Sequence, residues 1–135
     1  MPCILIVEDD YFFGKDVLGY HLGRQGFEVL NAYTASDFEQ LWTKADVILL
    51  DIRLPEREGE PVDPWAGLRK LYFLQNSTAG AKRPQLERCI IRSGQTMQDA
   101  IGASVNVPKH SRWFSPDVSF FDIVQAIREV AGEPR

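Results

Sequence analysis

Cysteine, histidine and long apolar runs are scarce in this sequence, and each scarcity excludes a class of protein. The chain has two cysteines and two histidines. Cys3 and Cys89 both lie in short apolar runs, where a buried free thiol is favoured over a disulfide. The first apolar run, residues 3–7, is too short for a signal-peptide core or a membrane span. We therefore expect a soluble cytoplasmic protein without a disulfide.

Positive charge is also in short supply. Lys and Arg number 15 against 19 Asp and Glu, which gives a net charge of −4. This balance provides no long-range attraction to a phosphate backbone or to an anionic membrane, so we expect no direct nucleic-acid binding and no membrane binding. With 135 residues, 44% hydrophobic and 25% charged, the chain has the composition of one folded domain that spans residues 1–135.

What the sequence does contain is a series of apolar runs separated by stretches with helical spacing. Runs that are apolar throughout are typical of strands buried on both faces, as in a parallel sheet covered by helices. Such a pattern predicts an α/β fold in which right-handed crossovers place helices on both faces of one sheet. The five predicted strands are 3–7, 27–30, 47–50, 89–91 and 105–107.

Helices are predicted between these strands and after the last one. They cover residues 11–25, 36–44, a segment that starts at Asp63-Pro64, a short piece within 96–101, and 118–131. Asp63 and Asp117 are predicted as N-caps, because a carboxylate there accepts hydrogen bonds from the first free N–H groups. Two loops rich in glycine and proline, 55–64 and 77–84, are lids, partner loops or idle insertions.

Polar residues follow several of the predicted strands. In an open parallel sheet the carboxyl ends of the strands border one crevice, so these side chains should lie at the same edge. Taken singly, each has an ordinary role as a helix-start charge, a turn residue or a solvated side chain. The residues are Glu8, Asp9 and Asp10 after the first strand, Asp51 after the third, Ser93 after the fourth and Lys109 after the fifth.

Taken together, these residues indicate a chemical site. Two carboxylates about 4 Å apart repel by roughly 4 kcal/mol at an effective dielectric constant of about 20, so they bind protons or share a cation. A hard divalent ion with oxygen ligands, Mg²⁺ above all, suits them, and no neighbouring His or Cys argues for zinc. A metal-bound carboxylate with a hydroxyl and an ammonium group aimed at one point is what phosphoryl transfer needs.

Four segments of the chain resemble the receiver domain of two-component response regulators. They are ILIVEDD at 4–10, VILLDIRLP at 47–55, IIRSG at 90–94 and GASVNVPK at 102–109. The resemblance covers nearly the whole chain, and the first two segments are its most specific part. It implies a flavodoxin-like, five-stranded parallel sheet with strand order 2-1-3-4-5 and helices on both faces.

The resemblance also implies a metal-binding set. Asp9 would hold Mg²⁺ directly, and Glu8 would hold it through water. Asp51 and the backbone carbonyl of Arg53 would complete the protein ligands. Asp10 is expected in the first turn of the following helix.

A second implied set handles the phosphoryl group. Asp51 would accept it, Ser93 would hydrogen-bond to it, and Lys109 would pair with its charge. The chain departs from the family pattern near this lysine. Receivers usually have an aromatic residue three positions before it, where Asn106 stands, and a proline directly after it, where His110 stands.

These features predict a stand-alone receiver that takes a phosphoryl group from a histidine kinase or a histidine phosphotransfer protein. Only residues 132–135 follow the last predicted helix, so output is expected through contacts with an unidentified downstream protein. Candidate surface anchors for it are Trp113, Phe114, Val118 and Phe121, which have packing under the loops as the alternative role.

Three rival functions remain. The main one is a receiver-like interaction module that signals without phosphorylation. Asn106, which stands in place of the usual aromatic residue, favours this function. An aspartate-dependent phosphohydrolase would ordinarily need an acid two residues after Asp51, where Arg53 stands. A flavin site is disfavoured because the loop after the first strand is acidic and lacks the composition that cradles a phosphate.

Overall fold

The sheet of this protein is parallel and five-stranded. It is seen in a computed structural model that describes residues 2–77, 84–108 and 112–132. The strands are β1 (Cys3–Val7), β2 (Glu28–Ala32), β3 (Val47–Leu50), β4 (Cys89–Arg92) and β5 (Arg112–Phe114). Their spatial order is β2-β1-β3-β4-β5, which confirms the order 2-1-3-4-5 implied by the resemblance.

Helices cover both faces of the sheet. Helix α1 begins as a π-helix over Phe12–Gly19 and continues as an α-helix over Tyr20–Arg24. The other helices are α2 (Ala35–Leu41), α3 (Ala66–Gln75), α4 (Pro84–Glu87), α5 (Met97–Gly102) and α6 (Phe120–Ala131). A 3-10 turn, Trp42–Lys44, extends α2.

The apolar strands form two cores because their side chains alternate between the two faces of the sheet. In β1, Leu5 and Val7 pack in one core, and Ile4 and Ile6 pack in the other. None of these four side chains is more than 1% exposed. The first core lies under α2 and α3, and the second lies under α1 and α6. Burial on both faces is why these strands lack polar alternation.

The prediction of the fifth strand at 105–107 is wrong. The Val105 N–H bonds to the Ala100 carbonyl at 2.9 Å, and Ser104 has a φ of 59°, so the chain here is still turning off the end of α5. The strand that pairs with β4 is Arg112–Phe114. Its Trp113 packs in the first core and its Phe114 in the second, which accounts for the choice of this segment.

Two predicted N-caps are also wrong. Asp63 pairs with Leu54 in a two-stranded antiparallel hairpin of Leu54–Pro55 and Val62–Asp63, so α3 starts two residues later than expected, after Trp65. Asp63 still accepts the Trp65 N–H at 2.8 Å. The N-cap of α6 is Ser119 and not Asp117, because the Ser119 hydroxyl accepts the Asp122 N–H at 3.1 Å. The hairpin and α4 were not predicted, whereas the short α5 was.

The candidate surface anchors divide into two groups. Phe121 is 68% exposed, as a surface anchor would be. Trp113, Phe114 and Val118 are half-buried and pack against the two cores. Within the described ranges, no helix has both the length and the apolar character needed to span a membrane.

Close packing of α3 against the end of β3 depends on a glycine. A Cβ atom at Gly67 would lie 2.8 Å from the Asp51 carbonyl oxygen and 2.9 Å from the Ile52 Cα. Gly67 also donates its N–H to the Ile52 carbonyl at 3.0 Å. Since both clashing atoms belong to the backbone, no side-chain movement relieves the contact.

We expect Gly67→Ala to lower the free energy of unfolding by about 1–3 kcal/mol, because the added methyl group overpacks the junction of α3 and β3. Urea titration followed by circular dichroism measures the change. Gly23→Ala is the matched control, since Gly23 lies in a helix and has open space where a Cβ atom would stand. A Gly67→Ala protein as stable as Gly23→Ala would contradict the prediction.

Candidate metal and phosphoryl site

Three neighbouring strands bring their first polar residues into one row. Val7 pairs with Leu50, and Leu50 pairs with Ile91. The next residue along each strand is Glu8, Asp51 or Arg92. The Asp51 N–H donates to the Val7 carbonyl at 2.8 Å, which continues the ladder to this row. The carboxyl edge of the sheet therefore carries two acids and one guanidinium side by side.

Three carboxylates meet at this edge. One carboxylate oxygen from each of Glu8, Asp9 and Asp51 lies within 4.8 Å of the other two. This set contains the three acidic side chains that the resemblance assigned to Mg²⁺. Hard oxygen donors at this separation fit a divalent cation of the Mg²⁺ class.

Local packing fixes the orientation of these acids. Glu8 is 7% exposed and lies against Gly14 of α1, where a Cβ atom would come within 3.1 Å of the Glu8 Cβ. The Asp51 Oδ1 accepts the Arg53 N–H at 3.0 Å, which brings the Arg53 backbone beside the acid. Asp10 is exposed and its Oδ1 accepts the Phe13 N–H at 3.1 Å. Asp10 thus lies just before α1 rather than in its first turn, and it supports the start of the helix.

Burial disfavours the charged forms of the two central acids, and the charge of a neighbouring carboxylate adds to this effect in each. Burial, followed by the negative charge of Asp51, raises the pKa of Glu8 from 4.5 to about 8. Burial also raises the pKa of Asp51, and a hydrogen bond between the two carboxyl groups works in the opposite direction on it. At neutral pH without a cation, the pair is therefore best described as two acids that share one proton.

Ser93 lies at the same edge, one residue beyond Arg92. It is buried at 6% exposure, and its N–H donates to the Phe114 carbonyl at 3.0 Å, which ties it to β5. Its hydroxyl oxygen accepts the Gln95 N–H at 3.0 Å. The Gln95 carbonyl in turn accepts the Trp113 indole N–H at 2.8 Å. The hydroxyl predicted to contact the phosphoryl group is thus held by the β4 and β5 ends.

The predicted cation, Lys109, lies outside the described residues, and so does His110. The observed β5 ends at Phe114, so the pair that follows the fifth strand is Ser115-Pro116. In the family pattern this place has a lysine and then a proline. The shift of the strand also takes Asn106 away from the position of the usual aromatic residue.

Arg92 is a residue of the site that was not predicted from the sequence. Together with Glu8 and Asp51 it lines a small cavity at the sheet edge. The two-residue period of β4 could have identified it. Ile90 packs in the second core, and a side chain two residues later on a strand faces the same side of the sheet. In the sequence, however, Arg92 directly follows an apolar run, where a charged residue is typical of the end of a buried strand.

Several solved structures with a similar fold are receiver domains. A CheY-like receiver domain protein from Methanospirillum hungatei has a TM-score of 0.69 and 21% identity over 98% of this chain and 94% of its own. The receiver domain of a histidine kinase from Syntrophus aciditrophicus has a TM-score of 0.74 and 14% identity, covering 98% and 91%. The receiver domain of a sensor histidine kinase from Pseudomonas aeruginosa was solved with magnesium coordinated in its active site cleft. It has a TM-score of 0.71 and 17% identity, covering 98% of each chain.

Similarity in sequence to curated proteins is more limited. The chain is 40% identical over 53 residues to the transcriptional regulatory protein VxrB of Vibrio cholerae. The match covers 39% of this chain and only 21% of VxrB. No protein-family model matches the chain. The sheet order, the covering helices and the solved structures agree, and the chain has the fold of CheY-like response regulator receiver domains.

Proposed function

We propose that this chain is a receiver domain, spanning residues 1–135, that accepts a phosphoryl group on Asp51 in a Mg²⁺-dependent reaction. The observation that carries the proposal is the meeting of Glu8, Asp9 and Asp51 within 4.8 Å at the carboxyl edge of the sheet. Three acids brought together repel one another unless they bind a proton or a cation, and carboxylates are the side chains that hold Mg²⁺ at sites of phosphoryl transfer.

The residues present fit Mg²⁺ because they offer only oxygen donors and repel one another without a cation. Glu8, Asp9, Asp51 and the Arg53 carbonyl would hold the ion. When bound, Mg²⁺ supplies positive charge that offsets the carboxylates and the phosphoryl oxygens. Asp51 is the nucleophile that the resemblance implies, and the backbone N–H of Arg53 orients its carboxylate.

In the reaction, an Asp51 oxygen forms a bond to phosphorus while the phosphorus–nitrogen bond of the donor breaks. The electron pair of that bond stays on the imidazole nitrogen, and the donor, which carries a proton on its other ring nitrogen, leaves as a neutral histidine. The Ser93 hydroxyl group donates a hydrogen bond to a phosphoryl oxygen. Lys109 as a pairing cation stays a prediction from the resemblance.

The donor we propose is a phosphohistidine on a histidine kinase or a histidine phosphotransfer protein. Two of the structurally similar domains are receiver domains of histidine kinases, which supports this class of donor. We propose a cytoplasmic location and an output through protein contacts. Of the four candidate anchors, Phe121 on α6 is the exposed one and could make such a contact.

The direct test is phosphorylation by acetyl phosphate with Mg²⁺, followed by intact mass spectrometry. We expect the wild-type chain to gain one phosphoryl group and Asp51→Asn to gain none, because the asparagine amide is not a nucleophile for phosphorus. Asp16→Asn, which changes an exposed acid on α1, is the control and should be modified like the wild type. Uptake that persists in Asp51→Asn would identify a different acceptor.

The same experiment tests the alternative of an interaction module that signals without phosphorylation. A wild-type chain that stays unmodified with Mg²⁺ and excess donor would favour that alternative. Omission of Mg²⁺, or its removal with a chelator, should abolish uptake in the proposed function.

A second prediction concerns the dependence of stability on pH without a metal. The pKa of Glu8 is about 8 in the folded chain and near 4.5 when unfolded, so between these values the folded state binds more protons. The contribution of Glu8 to the free energy of unfolding is complete below about pH 4.5 and is lost as the pH rises through about 8. The slope of this loss is at most about 1.4 kcal/mol per pH unit. Mg²⁺ should reverse the loss, because the deprotonated acids then bind the ion.

Thermal unfolding at several values from about pH 5 to pH 9, with and without Mg²⁺, measures this effect. Glu8→Gln should flatten the metal-free profile and weaken the stabilisation by Mg²⁺. Glu28→Gln, an exposed acid on β2, should leave both unchanged. The prediction fails if the metal-free wild type gains stability from about pH 5 to pH 8 relative to Glu8→Gln.

A further inference from the structure

The position after the fifth strand lacks the cation that the resemblance implies. Phe114 ends β5 and is followed by Ser115-Pro116, and the Ser115 hydroxyl is engaged with the Asp117 carboxylate. A transferred phosphoryl group spreads negative charge over three oxygens and requires positive partners. Among the described residues, the segment directly after β5 therefore offers no cation for these oxygens.

Arg92 lies beside Asp51 on the adjacent strand. The pairing of Leu50 with Ile91 makes Asp51 and Arg92 neighbours in the next row, and adjacent strands are about 4.8 Å apart. Leu49 and Ile90, two residues earlier on each strand, pack in the same core. Asp51 and Arg92 therefore face the same side of the sheet.

The small cavity at this edge combines these groups. It is lined by apolar residues and by Glu8, Asp51 and Arg92, and Arg92 is the one Lys or Arg among the described residues that line it. Burial raises the pKa of Asp51, and the positive charge of Arg92 is one of the influences that oppose this rise. The guanidinium therefore already interacts favourably with the charged form of the acceptor.

Two contacts orient the guanidinium. Its Nη2 donates to the Pro116 carbonyl at 2.8 Å, and its central carbon lies 4.6 Å from the ring centroid of Phe13. A guanidinium has five N–H donors, so the bond to Pro116 leaves others for an oxygen acceptor. The planar fork also matches phosphoryl oxygens better than an ammonium group does.

We propose that Arg92 is the cation that pairs with the phosphoryl group on Asp51, in place of a lysine after the fifth strand. The inference rests on the proposed function. With acetyl phosphate as donor, an Asp51 oxygen bonds to phosphorus as the phosphorus–oxygen bond to acetate breaks, and acetate leaves with that electron pair. Arg92 pairs with the non-reacting oxygens and exchanges no proton.

The test compares rates of phosphoryl uptake from acetyl phosphate with Mg²⁺, measured by intact mass on the full chain. We expect Arg92→Gln to react at least about tenfold more slowly than wild type, and Arg92→Lys to recover part of the loss because it restores the charge. Arg88→Gln is the matched control: it removes a half-buried arginine just before the amino end of β4, and it should react like wild type.

Binding of beryllofluoride, which mimics the phosphoryl group without being transferred, provides a second readout by fluorine NMR. We expect weaker binding in Arg92→Gln and stronger binding in Arg92→Lys than in Arg92→Gln. Should Arg92→Gln fail to fold, as judged by circular dichroism, Arg92→Met replaces it, because it keeps an apolar stem over Phe13.

The outcomes separate this inference from the proposed function. A wild-type chain that takes up no phosphate overturns both. A wild-type chain that is phosphorylated while folded Arg92→Gln or Arg92→Met matches its rate overturns the role of Arg92 alone. So does a result in which Lys109→Gln loses uptake and Arg92→Gln keeps it. A slower rate of phosphoryl uptake in folded Arg92→Gln or Arg92→Met, with part of the rate recovered in Arg92→Lys, supports the inference.

Discussion

Electrostatic repulsion between Glu8 and Asp51 is the constraint on which the rest of the site depends. The two acids end neighbouring buried strands, and burial together with their mutual charge raises the pKa of Glu8 to about 8. Folding therefore places them together only with a shared proton or a cation. A hard cation relieves the repulsion and at the same time prepares the edge for an anionic phosphoryl group.

The surrounding structure makes room for this cluster and holds it in place. Gly14 lets α1 approach the Glu8 side chain, and Gly67 lets α3 approach the backbone at Asp51. Both are positions where a Cβ atom would meet its neighbour at 3.1 Å or less. Two helices on opposite faces of the sheet thus both lie close to the edge that carries the acids.

The position of β5 in the sequence changes which residues stand at the edge of the site. Because Arg112–Phe114 forms the edge strand, Ser115 and Pro116 occupy the place that the family pattern gives to lysine and proline. Pro116 nevertheless contributes, since its carbonyl accepts a hydrogen bond from Arg92. A side chain of β4 is thereby linked to the segment that precedes α6, which connects the site to the helix that carries the exposed Phe121.

The central strands and most of the acids could be predicted from the sequence, because their signals are local. Ile4 to Val7 and Val47 to Leu50 are apolar without interruption, which only burial on both faces explains, and the acids follow them directly. The edge strand could not be predicted in this way. Residues 105–107 and 112–114 both carry apolar side chains, and the choice rests on pairing with β4 and on the packing of Trp113 and Phe114 on opposite faces.

By itself, then, the sequence determined an α/β sheet with a cluster of acids at one edge, since hydrophobic period and residue type act over a few neighbouring positions. The folded structure decided that Arg92 joins Glu8 and Asp51, that Gly67 packs beside Asp51, and that Asp63 and Asp117 do not cap helices. These outcomes depend on strand register and on contacts between residues far apart in the chain, which no local pattern encodes.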